Sequence, residues 1–181
     1  MRPLPWSANH SLLASQLAAQ GARARGFRRH PSKTKGPNMH QQSLSPQRVL
    51  DYIDRQASTP ELEVLRLVAM TGLHPQALLG LKPADMNRVS SEITCSFKGT
   101  RGTLRMSHAV LNTLEALIVD GEEFFFARAG QPVEFREVLD HWEALCIAEG
   151  LRDEDGGNPK ITALRSAALG LFVAELKKDH G

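Results

Sequence analysis

The apolar positions of this chain change period twice, and that change restricts the fold more than any other feature. From residue 46 to residue 81 they recur at helical spacing. Residues 89–97, Val-Ser-Ser-Glu-Ile-Thr-Cys-Ser-Phe, then alternate with period two, and helical spacing returns from Val110 onward. The pattern predicts a mostly α fold around one small antiparallel β-hairpin, an α+β class with six or seven helices and no internal repeat.

Local signals set the element boundaries. Ser45-Pro46 is a capping residue followed by proline at the first helical position, and it opens a helix carrying Val49, Leu50 and Ile53 on one face. Thr59-Pro60 repeats the device ahead of Leu62, Leu65, Val68 and Ala69. Gly72 closes that helix as a left-handed cap, and a short helix with Leu78, Leu79 and Leu81 follows Pro75. After the strand over 89–97, Lys98–Gly102 reads as a glycine-bounded turn and Thr103–Met106 as the returning strand. Val110, Leu111, Leu114, Leu117 and Ile118 mark the next helix, and Phe124–Phe126 is a short buried run. Phe135, Val138, Leu139, Trp142, Leu145 and Cys146 form another amphipathic face, which assigns both aromatic residues to the core. Residues 152–159 are a polar loop. A last helix, capped by Thr162, carries Leu164, Ala168, Leu171, Phe172 and Leu176.

Composition excludes several classes. With 41% hydrophobic and 23% charged residues, the 181-residue chain can bury a core. No run of eighteen apolar residues is present to span a membrane. Two cysteines, Cys95 and Cys146, cannot build a disulfide framework; they read as small buried hydrophobes in a reducing compartment. No two of the seven histidines fall within five residues of each other, which excludes a zinc finger or an HExxH site. The expectation is a soluble intracellular protein without metal or cofactor.

Charge is distributed unevenly. Residues 1–42 contain Arg2, Arg23, Arg25, Arg28, Arg29, Lys33 and Lys35 and no acid, so a whole-chain charge of +2 leaves the remainder at −5. Gly21, Gly26, Pro31, Gly36 and Pro37 break that segment up. Residues 1–42 therefore read as a largely flexible basic arm and 43–181 as the folded domain. Such an arm suits a polyanion, although an acid-free Arg- and Ser-containing N-terminus also describes a mitochondrial transit peptide or a solvated tail.

Two stretches resemble one family. Thr71-Gly72-Leu73-His74-Pro75-Gln76-Ala77-Leu78-Leu79-Gly80-Leu81, with Asp85 after it, is similar to the T-G-L-R-x-x-E-L-x-x-L motif that opens the tyrosine recombinase (phage integrase) catalytic domain. Lys98, 24 residues beyond His74, falls in the hairpin turn where the family keeps a catalytic lysine. Ile161-Thr162-Ala163-Leu164-Arg165 resembles the family's H-x-L-R box. The resemblance covers about residues 44–178 and implies that family's fold.

The departures from the family bear on activity. The family's first arginine is His74 here, the glutamate after it is Ala77, and the box histidine is Thr162. The sequence ends 16 residues after Arg165, before the family's later histidine and tyrosine nucleophile, and the one tyrosine is Tyr52. Of the family-matched positions His74, Lys98, Thr162 and Arg165, only the lysine and the second arginine keep the family's residue. Each missing donor to the transition-state phosphate is worth about 3 kcal/mol, so no strand cleavage is expected.

The resemblance implies DNA as partner, held through its phosphates by Lys98, Arg101, Arg105 and Arg165 together with Arg23, Arg25, Arg28, Arg29, Lys33 and Lys35. Each residue also has a plainer reading. Lys98 is a solvated turn residue, Arg165 pairs with Asp85 or Glu92, and Arg101 and Arg105 protect a strand edge. His74 begins a helix, and Tyr52 lies half-buried beside Val49 and Ile53. The favoured function is a non-cleaving, regulatory DNA-binding protein acting in transcription or mobile-element recombination, in the bacterial cytoplasm with the nucleoid. The alternatives are a truncated or split recombinase completed by a tyrosine from elsewhere, and a module that binds a protein, or itself, at an apolar groove.

Overall fold

The computed structural model describes residues 44–178. The basic arm, including Arg2, Arg23, Arg25, Arg28, Arg29, Lys33 and Lys35, lies outside the described residues.

Three helices form where a cap followed by proline places them. Helix α1 (Pro46–Ile53) begins at Ser45, whose Oγ accepts a hydrogen bond from Arg48 N at 3.3 Å, and buries Val49 and Ile53. Helix α2 (Pro60–Thr71) begins at Thr59, whose Oγ1 accepts from Leu62 N, and ends at Gly72 with φ +68°. Helix α3 (Pro75–Leu79) is capped by His74. Helix α2 is buried on every side, including Glu61 and Glu63, and packs against α1, α3 and the three later helices described below. Apolar spacing marked one face of it only.

The sheet departs from the sequence reading at both ends. A 3₁₀ turn (Pro83–Asp85) leads into β1 (Met86–Asn87), followed by β2 (Glu92–Phe97) and β3 (Thr100–Arg105), antiparallel in that order. The expected strand over 89–97 begins only at Glu92. Val89, Ser90 and Ser91 form a turn in which Asn87 Oδ1 accepts from the amides of Val89 and Ser90, Ser91 takes φ +57°, and Val89 is 99% exposed. The hairpin turn is two residues rather than five. Lys98 (φ +49°) and Gly99 (φ +77°) are both left-handed, the pairing that matches strand twist, so Arg101 and Gly102 lie within β3.

Helix α4 (His108–Ala116), capped by Ser107, buries Val110, Leu111 and Leu114; Ile118 lies beyond its end and is 43% exposed. A second small hairpin, β4 (Ala127–Arg128) and β5 (Gln131–Pro132), escaped the sequence reading because Ala129 is a rare left-handed residue. Helix α5 (Phe135–Ala148) buries Val138, Trp142, Leu145 and Cys146, and the Trp142 indole donates to the Pro159 carbonyl at 2.6 Å. Helix α6 (Ile161–Lys178) starts one residue before Thr162, so Thr162 is an exposed first-turn residue and not the cap. Leu164 and Ala168 are buried, whereas Leu171, expected on the apolar face, is 54% exposed. The side chains of Phe172 and Leu176 lie outside the described residues.

Ion pairs tie the outer helices together. Arg48 of α1 and Arg55 just beyond its end both reach Glu149, the residue that ends α5, at 3.1 and 2.6 Å. Arg128 of β4 bridges buried Glu61 of α2 and Glu137 of α5.

Candidate functional site

The site forms where α2 stops. Gly72 turns the chain through its left-handed conformation, and its carbonyl accepts a hydrogen bond from Arg165 Nε of α6 at 2.8 Å. Any other residue is strained here: φ is +68°, and a Cβ on Gly72 would sit 2.6 Å from Leu169 Cγ unless that side chain moved. Two residues on, His74 Nδ1 accepts from the Gln76 amide at 3.2 Å, which caps α3 and leaves the ring proton on Nε2.

Aromatic residues hold the imidazole. The His74 ring centroid lies 4.3 Å from that of Phe97, at the end of β2, and 6.1 Å from that of Phe135, at the start of α5. Lys98 follows Phe97 and sets its ammonium 5.4 Å from the Phe97 ring centre. Three of the four positions matched by motif, His74, Lys98 and Arg165, therefore lie in one neighbourhood, linked through Phe97 and the Gly72 carbonyl and carried by the α2–α3 junction, the β-turn and α6.

Their electrostatics are one-sided. Burial first, then the charges of Arg165 and Lys98, hold the His74 imidazole below its ordinary pKa. Burial also lowers the pKa of Arg165, a group that stays charged throughout. Among the described residues neither Lys98 nor Arg165 has a carboxylate within ion-pairing distance. Two unneutralised cations beside a neutral N–H donor suit a tetrahedral oxyanion. The arrangement offers no carboxylate as general base, and Thr162 is exposed on α6.

The other expected residues scatter. Side chains alternate along a strand, so Arg101 and Arg105 lie on the face of Thr94 and Ser96, opposite the face of Phe97. The compact basic cluster of Lys98, Arg101 and Arg105 is thus divided between two faces. Arg101 approaches Asp85 at 3.6 Å, while Asp85 also accepts from the Lys82 amide. Arg165 has the Gly72 carbonyl as its partner in place of Asp85 or Glu92. Tyr52 lies half-buried on α1 under the Arg55 guanidinium, 6.0 Å from its ring, and shares no hydrogen bond or ring contact with the site. Phe135 is a wall of the site rather than core alone, a role that helical spacing could not reveal. Cys146 is buried with its thiol pushed up to about 11, and half-buried Cys95 is also shifted upward by burial. Among the described residues no cluster of three or more His, Cys, Asp or Glu could hold a metal, and no helix is long and apolar enough to cross a membrane.

No protein-family model matches the sequence, and no curated protein matches it. Solved structures do. The lambda integrase catalytic core superposes with a TM-score of 0.59 at 20% identity, covering 73% of this chain and 87% of that one. A lambda integrase dimer bound to a COC′ core site gives 0.58 at 18% identity, over 76% of this chain and 54% of that one. The XerH site-specific recombinase bound to its difH substrate gives 0.54 at 18% identity, over 72% and 41%. The chain thus spans about half the length of the longer recombinases it is similar to. Its fold is the α+β fold of the tyrosine-recombinase catalytic domain.

Proposed function

We propose that the chain is a non-cleaving, regulatory DNA-binding protein built on the tyrosine-recombinase catalytic fold. The observation that carries this reading is the convergence of Lys98 and Arg165, without carboxylate partners, on His74, where the family's motif has arginine. Phosphate is the oxyanion such a site suits. The similar recombinase structures bound to DNA, at a COC′ core site and a difH substrate, support DNA as its source. Arg101 and Arg105 on the other sheet face, and the arm residues Arg23, Arg25, Arg28, Arg29, Lys33 and Lys35, are proposed as further backbone contacts. Control of transcription or of a mobile element's recombination in the bacterial nucleoid is the role that fits.

His74 and Thr162 argue against strand cleavage. A neutral imidazole lacks the bidentate fork of arginine, and Thr162 brings no imidazole to the site. The test is fluorescence anisotropy of a labelled generic duplex across a salt series. Each neutralised phosphate contributes about −0.9 to the slope of log K against log salt, so a slope near −4 or steeper is expected. Absence of binding at low salt overturns the proposal.

The retained Lys98 and Arg165 also favour a second reading, a split recombinase whose nucleophile comes from another chain. A duplex with an intact scissile phosphate and a nick a few bases beyond it separates the two readings. The tyrosine of a partner breaks the bond to the 5′ oxygen, and the short 5′-hydroxyl strand leaves. A covalent protein–DNA adduct then accumulates under the second reading and never under the first.

A further inference from the structure

We propose that His74 is the proton-accepting member of the anion site it shares with Lys98 and Arg165, so that a bound phosphate and a proton on His74 stabilise each other. The inference rests on the DNA-binding reading and adds a regulation to it.

The groups around the imidazole are few and of one sign. From the β-turn comes Lys98, from α6 Arg165, from β2 Phe97 and from α5 Phe135; α3 itself contributes only the uncharged Gln76 amide. Among the described residues no carboxylate contributes to raising its affinity for a proton. The protein's own groups therefore place two positive charges here and disfavour a third. A phosphate placed among these groups reverses the balance. Its negative charge offsets Lys98 and Arg165, and the imidazolium then gains an ionic hydrogen bond from Nε2. Protonation of Nδ1 breaks the bond from the Gln76 amide, so the free protein has two reasons to keep His74 neutral and the complex has one strong reason to charge it. By linkage, phosphate occupancy raises the affinity for the proton by the factor through which the proton raises the affinity for phosphate.

An arginine at this position would be charged at every pH. His74 makes the same donor conditional on pH.

The experiment uses the full chain and a labelled generic duplex at fixed low salt. Between pH 7.5 and 5.5 the wild type should tighten about tenfold more than the His74→Asn variant, the size of one charge-assisted hydrogen bond. Asparagine keeps the capping acceptor and removes the titration. In the wild type, NMR titration of the His74 ring should give a midpoint that rises when the duplex is bound. An equal pH response in His74→Asn, or a His74 midpoint unmoved by duplex, overturns the inference while leaving DNA binding intact. No binding at either pH overturns the DNA-binding reading together with it. Should His74→Asn fail to fold, the ring titration of the wild type decides alone.

Discussion

Arg165 Nε donates to the Gly72 carbonyl at 2.8 Å, a bond that joins α6 to the end of α2 across 93 residues of sequence. It fixes the guanidinium by one edge and leaves its two terminal nitrogens for a ligand. Structure and recognition therefore share one side chain. Replacement by alanine should cost about 1.5–3 kcal/mol of stability in urea denaturation, the value of a hydrogen bond to a charged donor, and should also weaken duplex binding. Arg165→Lys should lose most of the affinity with less loss of stability, because lysine brings charge without the fork.

Gly72 is constrained twice, by φ +68° and by Leu169. Gly72→Ala should destabilise the domain by about 2 kcal/mol or more, from left-handed strain and overpacking together. The additional variant Leu169→Ala removes the steric part; if Gly72→Ala costs no less in that background, the contact with Leu169 is not the reason for glycine.

Lys98 occupies a left-handed turn position that Asn or Gly fills more readily. Lys98→Asn should therefore raise the thermal midpoint, by about 0.5–1 kcal/mol of stability, while the salt slope of duplex binding becomes shallower by about one. Gain in stability with loss of binding is the signature of a residue kept for its charge.

Glu61 is fully buried beneath Arg128, and one of its carboxylate oxygens has no partner. Arg128→Ala leaves that charge uncompensated and should cost about 2 kcal/mol, moderated because the arginine is itself half exposed. Adding Glu61→Gln should recover part of the loss; a double variant no more stable than Arg128→Ala would count against the pairing.

The depressed pKa of His74 gives the DNA-free protein its own pH dependence. The unfolded chain takes up this proton near pH 6.5, whereas the folded chain resists it until lower pH. Stability from this residue is thus complete above about pH 6.5 and declines as pH falls toward the folded value. Urea midpoints between pH 7.5 and 5 should fall more steeply for wild type than for His74→Asn.

Much of this architecture is written locally. Ser45, Thr59 and Gly72 mark helix ends through their own backbone chemistry, and the period-two run located the hairpin. Other features are settled at long range. The alternation of residues 89–97 continued back through Val89, but the Asn87 side chain captured two amides and turned the chain there. Helical spacing assigned Leu62, Leu65, Val68 and Ala69 to the core, yet α2 buries Glu61 and Glu63 as well. Lys98 and Arg165 emerged from motif resemblance. That Phe97 and Phe135 flank His74 depends on β2 and α5 both packing against α3, which no spacing within either segment encodes.

Enclosure of α2 has a kinetic consequence. Helices α5 and α6 lean on this one helix and α3 follows directly from its end, so this part of the site has no local route to opening. The Gly72 amide, bonded to the Val68 carbonyl at 2.9 Å, should exchange with solvent deuterium only when the whole domain unfolds. Val89, in the exposed turn, should exchange within the dead time of the same experiment. Loss of protection at Gly72 would then serve as a clock for global unfolding.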